Sequence, residues 1–164
     1  MSGNDMSLDE FLCYVDIYCE KKYYAHLERL AGKIKTYPGL KGATATFWHA
    51  FALSQQDQHT EAMRDLNELT ENRTVQFAAA ACLANVHKAS RYKNKDEVTA
   101  NKNKLKTLSR ESGHESLLFA ARFFWHSDKL KQARQCIEKV LKAERKTTAG
   151  WSLYGWVSLS EGGL

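Results

Sequence analysis

The sequence has few of the residues that interrupt helices. It contains one proline, Pro38, in 164 residues, and few Asn-Gly or Asp-Gly pairs, which close β-hairpins. Ala, Leu, Lys, Glu and Gln, which favour helices, fill much of the chain instead. These scarcities argue against a fold built from hairpins and predict an all-α protein.

Long apolar runs are missing as well. No stretch approaches the roughly 18 apolar residues that a membrane-spanning helix needs. The N-terminus, Met1–Asp5, has neither the basic start nor the apolar core of a signal peptide. We therefore expect no transmembrane segment and a location in the cytoplasm.

The cysteines and histidines lack the spacing of metal ligands. Cys13, Cys19, Cys82 and Cys136 form no CxxC pair, and the histidines never stand in HExxH or H-x3-H spacing. No glycine-rich phosphate loop, nucleophile elbow or pair of carboxylates in an apolar setting is present. We expect reduced thiols, mostly in the core, and no metal, no cofactor and no enzymatic activity.

Two histidines stand beside tryptophans, in Trp48-His49 and Trp125-His126. A catalytic role would need a nucleophile or carboxylate partner, which the sequence does not place near either of them. The structural interpretation has the aromatic rings filling the seams between helices, with the imidazoles donating at the edge. An aromatic anchor that faces a binding groove is the remaining alternative.

The charge is unevenly distributed. The net charge is +5, yet the first twenty residues carry acidic side chains and no basic one, whereas stretches 88–110 and 129–146 are strongly basic. Such stretches either bind nucleic acid, an acidic surface or a membrane, or form the solvated face of a helix. The sequence leaves these possibilities open.

The first two helices are defined by local signals. Ser7 can cap a helix over residues 7–21, with Glu10 three positions on to complete a capping box. This helix has a broad apolar face, formed by Leu8, Phe11, Leu12, Val15 and Ile17. A second helix carries apolar residues at three- and four-residue spacing from Tyr24 to Ile34 and is predicted to end at Pro38-Gly39.

The sequence also repeats. One set of packing residues recurs 71 positions later, which is two periods of about 35, the tetratricopeptide period. The set comprises Ala50, Leu53, Ala62, Leu66 and Leu69, which recur as Ala121, Phe124, Ala133, Ile137 and Val140. Small residues at Ala50, Ala62, Ala121 and Ala133 would let paired helices approach closely. Trp151 and Gly155 give the large-then-small signature of one more first helix.

The predicted fold is therefore a tetratricopeptide-type α-solenoid of antiparallel helix pairs in a right-handed superhelix. One repeat array occupies residues 1–164, with units at 7–38, 43–72, 73–110 and 114–146 and a partial unit at 148–164. The expected packing residues are Ala50, Ala62, Leu66, Ala121, Ala133, Ile137, Trp151 and Gly155. Because the chain stops where a second helix should begin, we expect the natural protein to continue with more repeats.

The third unit is irregular. Its first helix is predicted near 74–90, followed by a polar connection at 91–95 and a second helix capped by Asn94 or Asp96. That second helix has few apolar residues, namely Val98, Leu105 and Leu108. Local opening of the array is therefore expected in residues 91–110.

A binding groove can be placed from the repeat frame. The inner positions of the first helices are Phe11, Val15, Tyr18, Phe47, Phe51, Leu118, Arg122 and Trp125. They are largely apolar, which disfavours a clamp for two carboxylates of an acidic C-terminal peptide. Base-reading helical repeats carry polar side chains at inner positions, so an RNA-binding array is the weaker alternative.

Several short patterns resemble a known family. They are Tyr18-Cys19-x3-Tyr23, Phe47-x-His49-Ala50, Thr60-Glu61-Ala62-x-Arg64, His87-Lys88, Phe124-Trp125-His126 and Ala133-Arg134-x2-Ile137. In order and spacing, from about Leu8 to Trp156, they resemble the N-terminal region of the tetratricopeptide repeat protein 21 family. The departures from the family pattern are an inserted linker at Pro38–Lys41 and the lysine-rich third unit.

The resemblance implies a scaffold subunit of intraflagellar transport complex A. Such a subunit acts in retrograde transport and cargo entry in the cilium or flagellum and at its base. Its implied partners are the other subunits of that complex and ciliary cargo. A tetratricopeptide adaptor in another complex is a further alternative. The truncated C-terminal end, with exposed tryptophans, would allow weak self-association of an otherwise monomeric chain.

Overall fold

The computed structural model describes residues 6–89 and 95–161. Within these ranges the chain forms nine α-helices and no strand, so the all-α prediction is confirmed. In chain order the helices are α1 (Leu8–Lys21), α2 (Tyr24–Ile34), α3 (Gly39–Gln55), α4 (His59–Asn67), α5 (Gln76–Ala89), α6 (Lys95–Glu111), α7 (His114–His126), α8 (Leu130–Ala143) and α9 (Thr148–Ser160). Consecutive helices pack as antiparallel pairs along most of the array.

The turns inside three hairpins repeat one backbone design. Lys22, Asp57 and Asp128 all have left-handed backbone, with φ near +60°. In each turn the next residue donates its amide five residues back: Tyr23 to the Tyr18 carbonyl, Gln58 to Leu53 and Lys129 to Phe124, at 2.8, 3.0 and 2.8 Å. This is the Schellman arrangement that closes a helix C-terminus. These turns keep the spacing of the sequence repeat, because 22, 57 and 128 differ by 35 and 71.

Helix α1 begins as its capping signal predicts. The Ser7 hydroxyl accepts the Glu10 amide at 3.1 Å, and Phe11 and Val15 are fully buried. Ile17 was expected on the same apolar face but is 48% exposed. The difference follows from helix geometry, because residues two apart point to nearly opposite sides of a helix.

The junction between α2 and α3 is the tightest part of the fold. Helix α3 begins at Gly39, with Pro38 as its N-cap, so the expected linker at Pro38–Lys41 is wrong and forms the start of a helix. The chain folds back closely here, since a Cβ atom on Gly42 would lie 1.7 Å from the Tyr37 carbonyl oxygen. Only glycine fits this contact.

Most of the expected packing residues lie in the core. Six of them are completely buried: Ala50, Ala62, Leu66, Ala121, Ala133 and Ile137. The other two, Trp151 and Gly155, lie on the exposed side of α9, where Trp151 is 51% exposed and no atom lies within 4 Å of a Cβ built on Gly155. Instead, α9 packs through Leu153 and Val157, which stand one turn apart on its other face.

The second helix of the third hairpin is weakly buried. The predicted polar connection and the Asn94 cap lie in or next to residues 90–94, outside the described residues, whereas Asp96 lies inside the first turn of α6 and does not precede it. Among the α6 side chains that the structure describes, only Leu108 is buried, at 8% exposed. Among the described helices, α6 packs mainly on α5. As the sequence predicted, α6 therefore buries few apolar side chains.

Candidate protein-interaction surfaces

The inner face of the array is filled by its own aromatic side chains. Phe47 of α3 packs edge-to-face on Phe119 and Phe123 of α7, with ring centroids 5.1 and 5.5 Å apart, and Phe51 packs on Phe123 at 5.8 Å. Edge-to-face geometry is the favoured arrangement of aromatic rings. Helices α3 and α7 therefore meet across the inside of the array, where the sequence placed an open groove.

The groove prediction is consequently wrong for four residues. Phe11, Val15, Phe47 and Phe51 are all fully buried, so a partner cannot contact them in this fold. The other four inner positions, Tyr18, Leu118, Arg122 and Trp125, stay partly exposed. The repeat frame identifies inward-facing residues but does not tell whether two inner faces close on each other.

A polar cluster ties the first hairpin to the fourth. Asp16 of α1 accepts hydrogen bonds from Arg122 and His126 of α7, both at 2.7 Å. The His126 side chain is 4% exposed, and the Trp125 ring stacks on it with centroids 4.2 Å apart. The expectation that His126 has no carboxylate partner is wrong, because that partner is 110 residues away in the chain.

His49 also has a carboxylate partner that the local sequence does not show. Its Nδ1 lies 2.5 Å from Oδ2 of Asp65, and the Lys35 ammonium lies 3.5 Å from the same carboxylate. Asp65 is only 6% exposed, so its charge needs such partners. The cluster joins α3 and α4 to the end of α2, which makes it a brace between helices.

A cavity of about 650 Å³ lies between α1 and helices α7 to α9. We call it the aromatic cleft. Its apolar wall includes Trp125 and Trp156, which stack with ring centroids 6.3 Å apart, and the Trp125 Nε1 donates to the Ser160 hydroxyl at 3.0 Å. Carboxylates also line it, from Asp16, Glu20 and Asp128. Of the predicted groove residues, Trp125 alone lines this cavity.

Burial holds three of the four thiols protonated. Burial raises the pKa of Cys82 to about 12 and that of Cys136 to about 11, and it raises the pKa of Cys19 further. Cys13 is exposed, so the expectation of core thiols holds for three of the four. Across residues 6–89 and 95–161, no group of three or more His, Cys, Asp or Glu side chains is arranged to hold a metal ion.

Length and hydropathy decide whether a helix can span a membrane. Among the helices of the described segments, none combines the length and the apolar character needed to cross a bilayer.

Comparison with known proteins gives one consistent result. The family model described as the tetratricopeptide repeat protein 21 N-terminal ARM repeat matches residues 15–163. Tetratricopeptide repeat protein 21B of Xenopus laevis is 28% identical over 144 residues, which cover 87% of this chain and 11% of that protein. Human 21B is 23% identical over 96% of the chain, and human 21A is 25% identical over 98%. The chain spans about one eighth of the length of these relatives.

Proposed function

Because this chain belongs to the tetratricopeptide repeat protein 21 family, we propose that it is a scaffold subunit of intraflagellar transport complex A. In this role it acts at the cilium or flagellum and at its base, in retrograde transport and in the entry of ciliary cargo. Its partners are the other subunits of that complex and the cargo itself. The observation that carries the proposal is the family match over residues 15–163 of a helical-repeat chain.

The side-chain geometry favours binding over catalysis. The two histidines that follow tryptophans, His49 and His126, pair with carboxylates of other helices, and their side chains are only 15% and 4% exposed. The three buried thiols are protonated, which makes them poor nucleophiles. An RNA-reading array gains no support either, since inner positions such as Phe47 and Phe51 are apolar and fully buried.

Affinity purification of the full-length protein from ciliated cells tests the proposal. The protein is tagged at its own locus, and the other subunits of complex A should co-purify in equal amounts. Its loss should make transported material accumulate at ciliary tips, and the tagged protein should be found along the cilium and at its base. A protein that purifies without these subunits, or whose loss leaves retrograde velocity and frequency unchanged, would contradict the proposal.

One substitution distinguishes a scaffold role from a catalytic role of His126. His126→Gln keeps a side chain that can donate to Asp16 but removes acid-base chemistry near neutral pH. A scaffold should keep its ciliary location and transport rate with this change, provided that circular dichroism shows the helices intact. Loss of transport in a folded His126→Gln protein would argue for a chemical role.

A further inference from the structure

A second cleft lies where α6 stands away from the helices that follow it. Two adjoining cavities, of about 520 and 380 Å³, fill the gap between α6 and helices α7 and α8. They share four lining residues, Phe77, Ser109, Phe124 and Gln132. We call the larger cavity the basic cleft. It exists because α6 buries so little apolar surface that it does not pack down on the fourth hairpin.

Four cationic side chains converge on the basic cleft. Lys88 comes from the end of α5, Lys106 and Arg110 from α6, and Lys129 from the N-cap of α8. Of the residues that the structure describes, no Asp or Glu lines this cavity, and the adjoining smaller cavity has Glu138 beside Lys139 and Lys142. Within the described residues, none of the four cations makes an ion pair with a carboxylate within 4.0 Å. The cleft therefore carries uncompensated positive charge.

The charges are close enough to affect each other. Burial lowers the pKa of Lys129, and the charge of Lys88 lowers it further. The Lys129 ammonium donates to the side-chain oxygen of Asn85 at 2.9 Å, which fixes its position in the cavity wall. An anion in the cleft would relieve this repulsion.

The floor of the cleft is apolar. Phe77 and Phe124 meet nearly edge-to-face with ring centroids 6.1 Å apart, and they are 5% and 8% exposed. The floor offers one small apolar contact patch and no open ring faces along which successive bases could stack. A leucine or phenylalanine side chain needs only a contact patch of this kind. The cations also line a concave cavity, whereas a flat membrane surface requires them on a convex or planar face.

We propose that the basic cleft binds an acidic peptide segment of a protein partner. Its carboxylates pair with Lys88, Lys106, Arg110 and Lys129, and one apolar side chain between them rests on Phe77 and Phe124. The inference rests on the proposed scaffold function only in taking the partner to be a protein. The proposal gives basic stretches 88–110 and 129–146 one shared site, because the first contributes three cations to the cavity and the second contributes Lys129.

The chain offers a charge-matched test. Lys106→Glu with Arg110→Glu reverses two cations of the cleft, both in α6. Lys104→Glu with Lys131→Glu reverses two exposed cations outside it, one in α6 and one in α8. The probe is a short fluorescein-labelled peptide in which glutamates flank one phenylalanine, measured by fluorescence anisotropy. The cleft variant should lose at least about tenfold in affinity, and the control variant less than about threefold. Circular dichroism of both variants establishes that the helices are intact.

A second peptide tests the floor of the cleft. Replacing its phenylalanine with alanine should weaken binding by roughly tenfold, since burying one such side chain is worth about 1.5 to 3 kcal/mol in transfer terms. Equal losses in the two protein variants would overturn the proposal, and so would indifference to the phenylalanine or no binding of the peptide. Tighter binding of an oligouridylate RNA or of phosphatidylserine vesicles, lost selectively in the cleft variant, would also overturn it.

This experiment can fail independently of the proposed function. A chain that binds the peptide as described but does not co-purify with complex A would keep its acidic-peptide site and lose its ciliary role. A chain that co-purifies with complex A but ignores the peptide would keep the role and lose the site.

Discussion

Two of the junctions that join a second helix to the next first helix, α2–α3 and α6–α7, are built in opposite ways. Between α2 and α3, the backbone of Tyr37 lies so close to Gly42 that a Cβ atom has no room. Between α6 and α7, Gly113 has no atom within 4 Å of such a Cβ, and cavities of about 520 and 380 Å³ adjoin the junction. The comparison shows that the third hairpin can keep its place in the sequence repeat although its second helix, α6, packs poorly on the helices that follow.

The apolar content of the second helix explains the difference. Leu27, Ala31 and Ile34 of α2 are all fully buried. In α6, Leu108 is the one buried side chain among those described, and the helix carries a row of lysines. Packing α6 against α7 and α8 would bring Lys106 and Arg110 towards Lys129, which repels them. The same composition that loosens the third hairpin thus creates the basic cleft.

The largest expected effect comes from the two glycines. Gly42→Ala forces α3 away from the Tyr37 carbonyl and should lower the free energy of unfolding by about 3 kcal/mol. Gly113→Ala, at φ −74° with open space around it, should stay within about 0.5 kcal/mol of the parent protein. Urea denaturation of the two variants measures both values. Equal destabilisation by both substitutions would remove the contrast between the junctions.

Truncating one leucine in α2 and one in α6 should give a smaller difference in the free energy of unfolding. Leu27→Ala in α2 should cost about 3 kcal/mol, because Leu27 is fully buried among close neighbours. Leu108→Ala in α6 should cost about 1 kcal/mol, since the neighbourhood of Leu108 is open and can relax. Denaturation with coincident fluorescence and circular dichroism checks both. A larger loss from Leu108→Ala would show that α6 is packed more firmly than its burial indicates.

Hydrogen exchange can then compare the two helices in the parent protein. Amides of α6 should exchange at least about tenfold faster than those of α2, because α6 can open without exposing much apolar surface. Native-state exchange read by mass spectrometry gives the two rates. If the slowest exchange of the chain were found in α6, the conclusion that α6 is weakly packed would be wrong.

The smallest difference is expected in the rates at which two buried thiols, Cys82 and Cys136, react with an alkylating reagent. Cys136 lines the smaller cavity beside α6 and is 7% exposed, whereas Cys82 is 2% exposed in α5. Burial raises the pKa of Cys136 to about 11 and that of Cys82 to about 12. At constant pH, Cys136 should therefore react with iodoacetamide several-fold faster, and Cys136→Ser identifies its signal. A faster reaction of Cys82 would mean that the array opens elsewhere.

Local features of this fold could be predicted from the sequence because they depend on nearby residues. The Ser7 cap, the helix periodicity and the packing alanines at Ala50, Ala62, Ala121 and Ala133 all follow from spacing within one or two turns or one repeat. The weak packing of α6 follows from composition in the same way. The helical-repeat family is likewise confirmed by the match over residues 15–163.

The candidate site could not be predicted as well, because it depends on contacts between distant helices. Asp16 meets His126 across 110 residues, and Phe47 meets Phe123 across α4, α5 and α6. No periodicity within a helix tells which inner faces will close on each other. The two clefts are likewise formed by gaps between elements, and a gap has no sequence motif. Trp151 and Gly155 were predicted as packing residues but lie on the exposed side of α9. The repeat spacing was extended to α9 without a following second helix that could fix which of its faces is buried.

The contact from Asp16 to Arg122 and His126 has a mechanical consequence. A solenoid whose units touch only their neighbours stretches and twists like a spring, with compliance shared among all its coils. Here hydrogen bonds from Arg122 and His126 to Asp16 join the fourth helix pair to the first, so they restrict changes of curvature between the two pairs. Under load, we expect this segment to resist bending while these hydrogen bonds hold and to yield first at α6, which buries little apolar surface.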